Sequence, residues 1–60
     1  MRAYEQLATI SNGELSVEEA QKLFELYCEN TGQDEDEADA ILFAIPPQAA
    51  IAMLKVQKSG

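Results

Sequence analysis

The 60-residue chain carries eleven acidic and four basic side chains and no histidine, for a net charge of −7. That balance argues against nucleic acid or an anionic membrane as a direct partner, because both require clustered Lys or Arg, and Arg2, Lys22, Lys55 and Lys58 are dispersed. Length allows one domain, residues 1–60; the single Cys28 rules out an intrachain disulfide and the lack of histidine rules out a Cys/His metal site, leaving helix packing or self-association to stabilise a small core.

Hydrophobic spacing predicts an all-α fold, a compact bundle of three to four short helices over about residues 2–11, 16–31, 34–45 and 47–58. In the first helix Ala3, Leu7 and Ile10 share a face with Tyr4 and Ala8 beside them, and Asn12-Gly13 ends it. The second opens on Ser16-Val17-Glu18-Glu19, the pattern of a capping box, with Leu15 ahead of the cap. Val17, Ala20, Leu23, Phe24, Tyr27, Cys28 and Thr31 then make a broad face, Glu18 stands four residues before Lys22 in the order that favours an ion pair, and Gly32 closes the helix.

The third helix begins in acid and ends in hydrocarbon. Asp34, Glu35, Asp36 and Glu37 fill its cap and first turn, where outward amides and the helix dipole favour carboxylates. Ala38, Ile41, Leu42 and Ile45 form the core stripe, and Ala40, Phe43 and Ala44 complete an end that is apolar all round and therefore expected to be central. Pro46 disfavours helical geometry at Ile45, while Pro47 suits the first position of a fourth helix. There Ala49, Ala50, Met53, Leu54 and Val56 make the apolar face, and Ile51 falls near Lys55 and Lys58.

Catalytic and ligand motifs are missing from this pattern. A calcium loop starting at Asp34 needs glycine at its sixth place and glutamate at its twelfth; the chain has Asp39 and Ile45 there. Cys28 has no histidine to activate it and sits beside Phe24 and Tyr27 at helical spacing, so it reads as a small buried hydrophobe. A helix-turn-helix reading fails because the outer faces of the second and third helices would repel phosphate. The apolar runs 40–45 and 49–54 are split by two prolines and fall short of the ~20 residues of a membrane span, and no secretory signal is visible, so a cytoplasmic protein is expected.

Charge and apolar residues off the core stripes therefore carry the functional expectation. Residues 1–39 hold all eleven acids and two bases, a net of −9, and residues 40–60 hold two lysines and no acid. A non-enzymatic regulatory or adaptor protein fits this layout: Leu26, Phe43, Ile51 and Met53 supply apolar contact, while Glu18, Glu25, Glu29, Asp34, Glu35, Asp36, Glu37 and Asp39 steer a basic protein partner. The alternative is an acidic mimic of DNA, with Glu14 joining that face to inhibit a nucleic-acid-binding protein. Neither reading calls for a cofactor or metal. The apolar surplus of so short a chain also predicts a homodimer.

The compact start MRAYEQLATISNGELS, the helix VEEAQKLFELYCENTG and the apolar close AIPPQAAIAMLKVQ give the whole chain a further character. It resembles the short, acidic, all-helical accessory proteins of tailed bacteriophages, especially those of the early region of lambda-like phages. The resemblance implies a bacterial host cytoplasm and a role modulating host or phage processes by protein contact. It brings no functional residue with it.

Overall fold

The computed structural model describes residues 2–57. Four helices follow one another: α1 (Ala3–Ile10), α2 (Val17–Thr31), α3 (Glu35–Ala44) and α4 (Pro47–Lys55), with no strand among the described residues. Every helix touches the other three, and α1 packs most extensively on α2. The bundle is all-α, as the spacing predicts. Its helices start a residue inside three of the four expected boundaries because the capping residues Arg2, Ser16 and Asp34 hold extended backbone. The fourth helix stops at Lys55, capped by Val56, so it is shorter than expected; residue 58, the predicted end, lies outside the described residues.

Local chemistry sets these boundaries. The Ser16 hydroxyl accepts from the Glu19 amide at 3.1 Å, and an Asp34 carboxylate oxygen accepts from the Glu37 amide at 2.8 Å, each satisfying one orphan donor of a first turn. Gly32 ends α2 in the left-handed region (φ +74°), where its amide donates to the Cys28 carbonyl at 2.9 Å. The α1–α2 turn places both Asn12 (φ +60°) and Gly13 (φ +94°) at positive φ, the asparagine being among the few side-chain-bearing residues that tolerate it. Ile45 is extended (φ −98°, ψ 162°) ahead of Pro46, and Pro47 opens α4.

The core is narrow and alanine-rich. Leu7, Leu15, Phe24, Tyr27, Leu42 and Leu54 supply its bulk, while Ala3, Ala20, Ala38 and Ala50, one from each helix, are sealed from solvent. A methyl group at each of these sites lets the helix axes approach without opening a void. The Tyr4 and Phe24 rings meet at 5.4 Å between centroids with a 34° tilt, joining α1 to α2.

Several expected core positions lie elsewhere. Ile10 is 47% exposed and Val17 49% exposed. The buried residues of α1 are Ala3, Leu7 and Ala8, followed by Ser11, and Ile10, the last residue of the helix, borders an open hollow between α1 and the α3–α4 corner. Ser11 takes the inward place instead: its hydroxyl donates to the Ala8 carbonyl at 2.7 Å and accepts from the Leu15 amide at 3.1 Å. The end of α3 is not central. Ala38 and Leu42 are buried, but Ala40, Phe43 and Ala44 are exposed, because each helix of a four-helix cluster has one inward stripe and nothing covers the rest of α3. Glu18 and Lys22 form no ion pair, both being exposed and free to stay hydrated.

Candidate protein-binding surface

The eleven carboxylates divide by what already engages them. Asp34 caps α3. Glu35 and Asp36 receive the two arms of the Arg2 guanidinium at 3.3 and 3.4 Å. Asp39 accepts from the Ala3 amide at 2.7 Å, so an acid 36 residues away satisfies an orphan donor at the start of α1. The Glu5 carboxylate accepts from the Arg2 amide at 3.2 Å. Glu14 meets Lys55 at 2.7 Å, and that ammonium holds its carboxyl below the ordinary range, first through the hydrogen bond and then through charge. Three of the five acids from Asp34 to Asp39 therefore reach the start of α1, Asp39 through a short bond and Glu35 and Asp36 through long contacts at the surface. Glu18, Glu19, Glu25, Glu29 and Glu37 have no ion-pair partner among the described residues.

Glu25 and Glu29 stand one helical turn apart on α2 and border an open cleft of about 300 Å³. Its floor is Phe24 and Cys28, and Glu35 forms the wall contributed by α3. Cys28 is half-buried, short of the full burial its spacing suggests, because it lies on the flank of the α2 core face that turns toward this cleft. Its thiol is pushed above the ordinary range by burial, then by Glu35 and Asp34, with Asp39 adding to the shift and Arg2 opposing it. Burial is the largest cause of that shift, and the carboxylates of α3 add to it. A neighbouring hollow lined by Arg2, Tyr4, Gln21, Phe24, Glu25 and Glu35 extends the same surface toward α1.

The apolar residues expected at a partner interface do not gather there. Phe43 is 51% exposed and borders a hollow between α1 and the α3–α4 corner. Ile51 and Met53 are half-buried and pack against the core, so they carry part of the fold as well as surface. Leu26 is half-buried and outside the core cluster. Ile10, expected in the core, is instead exposed at the last position of α1. No group of three or more His, Cys, Asp or Glu side chains among the described residues is arranged to hold a metal ion, and no helix there is long and apolar enough to cross a membrane.

No protein-family model, curated protein or solved structure matches the chain.

Proposed function

We propose that this chain is a non-enzymatic regulatory or adaptor protein whose α2–α3 cleft binds a basic segment of another protein. The carrying observation is the pairing of Glu25 and Glu29, free of ion pairs among the described residues, with the apolar floor of Phe24 and Cys28. A lysine or arginine suits such a site because its methylene stem can cover the floor while its charged head meets the carboxylates. Glu18 and Glu37 add to the field that steers such a partner. Glu35 is shared with Arg2 through a long contact at the surface, which a cation from the partner can replace at little cost.

The resemblance to small phage proteins supports a partner of bacterial or phage origin and a cytoplasmic setting. The test compares proteins retained from bacterial lysate by the wild-type chain and by the Glu25→Gln/Glu29→Gln double variant. A partner held by the wild type, released by salt and lost from the variant supports the reading; identical retention by both removes the cleft from recognition.

A further inference from the structure

We propose that a second face of the molecule, whose lining residues carry no net charge, binds another copy of the same chain through a two-fold contact centred on Ile10 and Phe43. Two hollows meet on this face. One, of about 100 Å³, lies between α1 and the α3–α4 corner and is lined by Gln6, Ile10, Phe43 and Pro47 over a floor that includes Leu7 and Leu42. The other, of about 360 Å³, shares Ile10 and continues along α4 past Gln48, Ile51 and Ala52 to the Glu14–Lys55 pair.

Charge selects the occupant. The chain has a net charge of −7, so two copies repel over most orientations. The first hollow has no charged lining residue, and the second has only Glu14 and Lys55, which neutralise each other at 2.7 Å. Like-charged molecules can meet here without placing carboxylate against carboxylate. A basic partner would find on this face only Glu14, already paired with Lys55, whereas the α2–α3 cleft offers Glu25, Glu29 and Glu35.

Shape agrees with a two-fold contact. An isologous interface requires a protrusion and its complementary hollow on one surface of the same molecule. Phe43, 51% exposed, and Ile10, 47% exposed, stand on the rim of the α1–α3 hollow, so rotation by half a turn sets the Phe43 ring of each copy against the hollow of the other. A standard interface takes about 800 Å² from each partner. The chain exposes 3949 Å², so such a contact takes about a fifth of its surface.

Sedimentation equilibrium on the full chain tests this, with Phe43→Asp and Ile10→Asp as interface variants and Val17→Asp, equally exposed at the start of α2, as control. The expected result is a concentration-dependent rise from 6.6 kDa to twice that mass. Both interface variants should raise the dissociation constant by at least about tenfold, because symmetry places each new carboxylate near its copy, while Val17→Asp leaves it unchanged. Helical circular dichroism confirms that each variant is folded. Added salt should tighten the contact by screening the repulsion of the two copies, opposite to its effect on a basic partner in the cleft, so the two proposals fail separately. A wild-type chain that stays at monomer mass up to about 1 mM, equal dissociation of all four proteins, or association weakened by salt would overturn it.

Discussion

Ser11 shows how much one hydroxyl can organise in a chain this short. It is buried, donates to the Ala8 carbonyl and accepts from the Leu15 amide, so it closes α1 and fixes the turn into α2 at once. Ser11→Ala leaves the Leu15 amide without that acceptor, and we expect a loss of about 1–3 kcal/mol, read as a fall in the urea midpoint with unchanged slope. Cys28 reports on the cleft in a different way. Burial and the carboxylates of Glu35 and Asp34 raise its pKa, so at pH 8 the folded chain holds less thiolate than the unfolded one. Alkylation by iodoacetamide should be slower in the native chain than in urea, and its pH–rate midpoint should lie higher. A cationic thiosulfonate should outpace an anionic one in the native chain, with the gap closing as salt is added. Equal rates for the two reagents would mean that the acids set no field there.

At the scale of the helices, alanine decides how closely the elements approach. Ala20 and Ala38 are sealed between helices, so Ala38→Leu must push α3 off its neighbours, at an expected cost of about 1–3 kcal/mol measured by thermal or urea unfolding. Ala40→Leu, one position from the buried stripe's far side and exposed, should be close to neutral. Helix existence was legible from the sequence because each element carries its own punctuation: Ser16 and Asp34 as caps, Gly32 as stop, Pro46-Pro47 as break and restart. The outer end of α3 was not. Ala40, Phe43 and Ala44 are apolar, and composition does not reveal that a fourth helix fails to cover them. The clasp of Asp39 on the Ala3 amide was equally hidden, since a bond spanning 36 residues leaves no local pattern.

For the whole molecule, the Glu25–Glu29 cleft and the Ile10–Phe43 hollow share no lining residue. Most of the Asp34–Asp39 acids already have partners within the chain, whereas Glu25 and Glu29 have no ion-pair partner among the described residues. Both glutamates were visible in sequence as members of an outward face. Their position over Phe24 and Cys28, beside Glu35, depended on how α3 lies against α2 and could only be seen in the fold. Ile10 and Phe43, placed by the sequence in a core stripe and beside one, instead border a hollow with no charged lining residue.

The central claim, that α2 presents a cleft for a basic protein segment, is tested most directly by paired affinity capture. Wild-type chain and the Glu25→Gln/Glu29→Gln variant are immobilised equally, loaded with bacterial lysate at about 0.1 M salt and eluted at about 0.5 M, where the Debye length falls to several ångströms. The account predicts a protein that binds the wild type, leaves in the salt step and is missing from the variant. Recovery of the same proteins in the same amounts from both columns would contradict it.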